Sequence, residues 1–212
     1  MTQPTERTRL RRAHERGAYD AEAVHAVLDA TSMCTVAYVI DGKPYATPTL
    51  QWREGDHVYF HGSSASRAIR KSAGAEVCLT VSVLDGFVMA RSGLHHSANY
   101  RAAMVFGRAF KVADADKEEK LNRFINGLWP GRAGMLRPNT AQEVKATTVL
   151  GLKIDEASAK VRSGGPVDDE EDYALPIWAG VIPVETRVLP PVPDERNLDG
   201  VEMPAHIRNF GV

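Results

Sequence analysis

His57-Val58-Tyr59-Phe60-His61-Gly62-Ser63-Ser64-Ala65-Ser66-Arg67 is the stretch on which the fold turns. It opens with the alternating character of a strand, breaks at Gly62, runs through three serines and ends at an arginine. Residues 65–72 then read as a short helix. A strand that hands over through a small polar turn to a helix forms an anion cradle, because the first N–H groups of the helix are free and its dipole points at the loop. Serine hydroxyls add donors, and Arg67 can grip two oxygens at once. The same residues also suit an ordinary helix start capped by Ser64 or Ser66. The local pattern leaves both readings open.

Upstream, Asp41-Gly42 separates two runs rich in β-branched and aromatic residues, 34–40 and 43–52, which is a hairpin signal. The turn at 53–56 delivers the chain into the strand at 57–61. Downstream, Asp85-Gly86 lies between 76–84 and 87–91 and predicts a second hairpin. Residues 98–112 form a long apolar run, and Gly107 within it predicts a bend or bulge. Asp20 is placed to cap a helix over 21–30 whose Val24, Val27 and Leu28 share one face. Asp114 is placed to cap another over 115–128, with Leu121, Phe124, Ile125 and Leu128 on one face and a solvated charged face opposite. Further strands are expected at 147–155 and 157–162, an exposed acidic loop at 164–172, and an apolar segment at 175–184 around Trp178. Tight turns dominate and strand–helix–strand crossovers are scarce. The expected fold is mainly β: an antiparallel, closed or nearly closed barrel with peripheral helices, not a Rossmann fold. One domain is expected over 17–184. It is flanked by a basic arm, 1–16, free or laid against a partner, and a proline-rich extended tail, 185–212.

The 212 residues carry a net charge of −1, so no overall field favours nucleic acid or an anionic membrane. No apolar run approaches the roughly 20 residues that span a bilayer, and residues 1–16 lack a secretory apolar core. The two cysteines, Cys34 and Cys78, sit in apolar runs without metal-ligand spacing and read as free, buried thiols. A cytoplasmic protein is the expectation.

Several segments together carry a resemblance. The stretch from Cys34 to Trp52, the Tyr59–Arg67 segment and Val77-Cys78-Leu79-Thr80-Val81 resemble the flavin-binding split-barrel superfamily of pyridoxamine 5′-phosphate oxidase. Three further segments look like its nitroimidazole-resistance branch: 85–92, His95–Arg101, and Leu175–Val181 around Trp178. The resemblance implies a homodimer with FMN in a groove between two barrels and a small-molecule acceptor. It places Ser66 and Arg67 at the phosphate, with His61, Gly62 and Ser63 beside it. Thr47, Pro48 and Thr49 would run past the ring edge. His96, Ser97, Asn99, Tyr100, Arg101 and Trp178 would approach the flavin, from the second subunit. The tail departs from the family: Glu185-Thr186-Arg187-Val188-Leu189-Pro190 lacks the pattern that grips a substrate phosphate, which argues against vitamin B6 oxidation.

Some of this stands on the residues alone. Pro48 inside a strand removes a ladder donor and marks an edge or bulge. His95 and His96, read as strand neighbours, would point to opposite faces. No carboxylate or cysteine cluster accompanies them in sequence, so no metal site is expected. Arg91, Arg101 and Arg108 on strand-like segments call for carboxylate or phosphate partners.

The expected function is a flavin-dependent reductase acting on a small planar acceptor, nitroaromatic or quinone-like. His61 and His96 are the candidates to supply a proton. The alternatives are a flavin- or haem-binding module without turnover, with His61, His95 or His96 as an axial ligand, and a deazaflavin-dependent reductase using Arg9, Arg11, Arg12 and Arg16 as a basic groove.

Overall fold

Asp20 accepts a hydrogen bond from the Ala23 amide and starts α1 (Ala21–Asp29), which buries Val24, Val27 and Leu28 against the sheet. The computed structural model describes residues 4–210. Preceding α1, a two-residue strand β1 (Gly17–Ala18) pairs with β9 (Glu156–Arg162). The basic arm lies on its own barrel: Arg7 pairs with Glu76 and Glu156, Thr8 is buried, and the Leu10 amide donates to the Tyr19 hydroxyl.

The chain continues through β2 (Met33–Ile40), β3 (Lys43–Glu54), β4 (His57–Ser63), α2 (Arg67–Ser72) and β5 (Glu76–Met89). Next come β6 (Ser97–Arg108), β7 (Phe110–Lys111), α3 (Lys117–Leu128), α4 (Ala141–Ala146) and β8 (Thr147–Lys153). After β9 there remain β10 (Gly180–Pro183) and α5 (Ala205–Arg208). The ladders are antiparallel in the order β1-β9-β6-β5-β2-β3-β4-β8-β7, with β10 also on β5. Because β6 runs into β7 through the buried Ala109, the chain joins both ends of β5-β2-β3-β4-β8 and closes the barrel. The mainly β, antiparallel split barrel expected from the sequence is the fold found.

Asp41-Gly42 makes the predicted hairpin, both residues adopting positive φ as a two-residue turn of this type requires. The second hairpin does not form. Asp85-Gly86 lies inside the continuous β5, where the pairing with β6 shifts register between Leu84 and Gly86. Two local facts favour a bulge over a turn. The carboxylate of Asp85 takes both guanidinium donors of Arg101 at 2.9 and 2.8 Å. At Gly86 the β10 backbone comes so close that a Cβ would stand 3.0 Å from the Ile182 carbonyl oxygen.

α3 begins at Lys117, with Asp116 rather than Asp114 at its N-cap; Asp114 instead pairs with Lys111 and Lys117. The interior of the barrel is filled by Leu28, Leu79, Val105, Leu150, Leu152 and their neighbours. Complete burial of each such side chain stabilises the fold by about 1.5–3 kcal/mol. A smaller core outside the barrel wall joins Trp52, Tyr59, Val112 and Val149 to Phe124 of α3. None of the helices among the described residues is long and apolar enough to cross a membrane.

Candidate functional site

The period of two along β4 sends Val58 and Phe60 into the barrel and Tyr59 and His61 toward α3. At the end of the strand the chain turns into α2, and Ile69 of α2 packs back onto Gly62. A Cβ at Gly62 would stand 2.9 Å from Ile69 Cγ1, so this approach requires glycine. Between α2 and the strand pair β2–β3 lies a narrow cleft of about 90 Å³. It is lined by Thr47, Pro48, Thr49, His61, Gly62 and Ser66 among others. β3 pairs with β2 over Lys43–Leu50 and with β4 only from Gln51, so beside the cleft it uses one edge. Pro48, which has no N–H, sits on that half-used stretch.

Two hydroxyls in this cleft make no hydrogen bond among the described residues. Ser66 is the N-cap residue of α2, yet its side chain makes no capping bond. Ser72 Oγ is buried and has no hydrogen-bond partner among the described residues. A buried hydroxyl without a partner costs about 1–3 kcal/mol. A ligand oxygen reaching into the cleft would remove that cost. Because α2 spans only six residues, its dipole adds little, and the hydroxyls carry the case. Ser63 is exposed at the rim, its Oγ accepting from the Ala65 amide. Arg67 is exposed, stacked 4.8 Å over the Tyr45 ring, and pairs with no carboxylate among the described residues. Deeper in, the Tyr38 hydroxyl meets Thr47 Oγ1 at 3.0 Å.

His61 also lines a second, larger cavity of about 540 Å³ on the outer side of the barrel wall. Leu121, Phe124 and Ile125 of α3 form one wall, and Leu136 and Arg137 from the following loop form another. The His61 ring lies 4.8 Å from that of Phe124 and 6.0 Å from that of Trp52. Burial holds its pKa below the ordinary histidine value, which favours the neutral imidazole. Its buried Nδ1 has no hydrogen-bond partner among the described residues. α3 is fastened over this cavity by Glu54, which accepts from Trp52 Nε1, Lys120 and Arg123.

The remaining candidates gather elsewhere within one chain. His96 follows a 3₁₀ turn, Gly93–His95, and not a strand interior; it is exposed, with Nδ1 2.9 Å from the Ser92 carbonyl. Ser97 is exposed at the start of β6, and Tyr100 is half-buried within that strand. Asn99 is buried and bridges Arg162 to the Gly164 carbonyl. Arg101 is taken by Asp85, whose carboxyl it holds below the ordinary range. Trp178 is 69% exposed, its ring against Gly180. None of these six lines the β2–β3–α2 cleft.

The carboxylates missing near the histidine pair in sequence are present in space. Ligand atoms of His95, Asp168 and Asp172 lie within 4.8 Å of one another. Asp168 already accepts from the Arg91 backbone and guanidinium, so a cation occupies that carboxylate. Arg108 donates to the Gly74 carbonyl. Sequence reasoning did not find Ser72, which reads as an ordinary late helix residue, nor the cavity under α3. The apolar face 121–128 signalled burial without saying that a space lies beside it.

Against known proteins, a family model described as pyridoxamine 5′-phosphate oxidase matches residues 20–161. The structure of the flavocytochrome Anf3 from Azotobacter vinelandii is 51% identical, with 99% of each chain covered and a TM-score of 0.95. An FAD- and haem-binding protein from Mycobacterium smegmatis is 36% identical, with 92% of this chain and 97% of that one covered and a TM-score of 0.89. A nitroimidazole antibiotic resistance protein from Bacteroides thetaiotaomicron, 19% identical over 68% of this chain and 86% of that one, shares the fold with a TM-score of 0.57. No curated protein sequence matches the chain. The barrel, its β4–α2 turn and these matches place the chain in the pyridoxamine 5′-phosphate oxidase family.

Proposed function

We propose that the protein is a redox protein that holds a flavin at the β4–α2 cleft and a haem in the cavity under α3, with His61 between them. One observation carries this reading: His61 lines both spaces. The relatives at 51% and 36% identity are named as a flavocytochrome and as an FAD- and haem-binding protein. On the second of these the proposed flavin is FAD, where the sequence alone led to FMN.

The residues fit both groups. Ser66 and Ser72 offer free hydroxyls to flavin phosphate or ribityl oxygens, and Arg67 stands exposed beside them to add charge. Iron is ligated by neutral imidazole, the form that burial favours at His61, whose buried Nδ1 has no partner among the described residues. Leu121, Phe124, Ile125 and Leu136 supply the apolar walls that a macrocycle needs.

When bound, the two groups supply one- and two-electron chemistry; the chain's share is placement. Gly62 lets α2 close on the strand, Glu54 fixes α3, and Phe124 and Trp52 hold the imidazole plane. The acceptor is proposed to be a small planar molecule, nitroaromatic or quinone-like. A second copy of the chain is proposed to complete the flavin groove, since one chain encloses only about 90 Å³ there. Exposed Leu84, Phe87, Met104 and Ile182 on neighbouring strands would be covered by it.

The absorption spectrum of purified protein tests the reading. A flavin band together with a Soret band is expected, with chromatography of the extracted cofactor giving FAD. His61→Ala should remove the Soret band and leave the flavin band; protein without either chromophore after reconstitution overturns the proposal. Sedimentation should give twice the 23.2 kDa chain mass.

A further inference from the structure

The tail after Val184 folds back over the end of α3. Among the described residues, every hydrogen bond made by 185–210 stays within the tail, as between Asn197 and Asp194 or Arg208 and Met203, and no ion pair reaches the body. The tail meets the body through apolar packing, as where the Phe210 ring lies 6.4 Å from that of Trp129. Between them is a space of about 680 Å³. Trp129 and Ile125 form its floor, Met203 and Ile207 form its roof, and Val192 and Val201 lie along its edge. Ile125 and Leu136 line this space and also the cavity that contains His61, so the two adjoin.

A tail that served only to cover α3 would bury its apolar residues. Here Met203 and Ile207 are only half-buried where they line the space, and Val192, 91% exposed, and Val201, 62% exposed, stand at its solvent-facing edge. The volume falls within the roughly 300–1,000 Å³ of small-molecule sites, and apolar walls with an indole and few charged groups are their usual lining. The charged lining residues, Arg132, Asp194 and Glu202, carry both signs, so they do not select a charged ligand.

We infer that the tail roofs a binding site for an uncharged, flat, apolar molecule of quinone size. Its standing as the seat of the electron acceptor rests on the redox reading above; the binding itself does not. The roof, lacking hydrogen bonds to the body, is the part that opens to admit the ligand.

Menadione is the probe. Equilibrium dialysis against the full chain should show saturable binding. Val201→Phe together with Ile207→Phe, which fills the space, should weaken binding at least ten-fold with flavin and Soret absorbance unchanged. Hydrogen–deuterium exchange of the unmutated protein should show added protection over residues 192–203 when menadione is present. The absence of saturable binding, an unchanged affinity in the filled variant, or an unchanged exchange pattern each overturns the proposal. The chromophore bands of the same samples report the redox reading separately: their presence without menadione binding sinks the tail site alone.

Discussion

His61 and Phe124 lie ring against ring at 4.8 Å, across the seam between the barrel wall and α3. Phe124 is 5% exposed and is the α3 residue buried in the outer core. Phe124→Ala should therefore cost about 3 kcal/mol, read as a lower urea midpoint with an unchanged denaturant slope. A loss under about 1 kcal/mol would show that α3 is not held by this contact.

Glu54 is the polar fastener of the same helix. Burial pushes its carboxyl upward, but the hydrogen bonds from Lys120 and Trp52 outweigh this, and its pKa ends below the ordinary value. A carboxylate depressed in the folded state adds stability above its unfolded pKa, and that stability is lost as pH falls through the folded value. Glu54→Gln should cost about 1–3 kcal/mol at pH 7. The gap between the variant and wild type should narrow as pH drops below about 4; a gap constant from pH 7 to 3 would contradict the ion-pair account.

Gly62→Ala sets a methyl against Ile69. The expected cost is about 1–3 kcal/mol, with weaker flavin retention because α2 must move away from the cleft. In an Ile69→Ala background the same substitution should cost distinctly less. Additive losses in that double-mutant cycle would mean that Gly62 and Ile69 do not meet.

Burial pushes the Cys34 thiol up to about 12, and Cys78 is raised for the same reason. Cys34 is buried, but Cys78, expected to be buried too, is only half-buried. In native protein Ellman's reagent should therefore leave Cys34 unlabelled and react with Cys78 more slowly than after unfolding, when both label. Rapid native labelling would show that β2 or β5 opens.

How far the sequence carried can be judged at two identical dipeptides. Asp41-Gly42 and Asp85-Gly86 have the same turn signal between β-rich flanks, yet only the first turns the chain. What separates them is non-local: Arg101 and the β10 backbone fix the second as a bulge. The β4 alternation and the serine turn depended on neighbours in sequence, and they were legible. The cluster of Asp168 with Arg91 and His95 joins positions more than seventy residues apart, so no spacing announced it. Ser72 was equally silent, because its interest lies in a missing partner.

One edge of β5 faces β2 as far as Thr80 and faces β10 from Gly86 onward, while β6 runs along the other edge throughout. A single strand is thus shared in succession by the closed barrel and by an outlying flap, with the bulge as the splice. Sliding β5 by one residue would break both partnerships together and turn Val77, Leu79 and Val81 out of the interior. The flap therefore inherits its alignment from the barrel, and parts of the molecule far from the β4–α2 turn are indexed to it through one length of backbone.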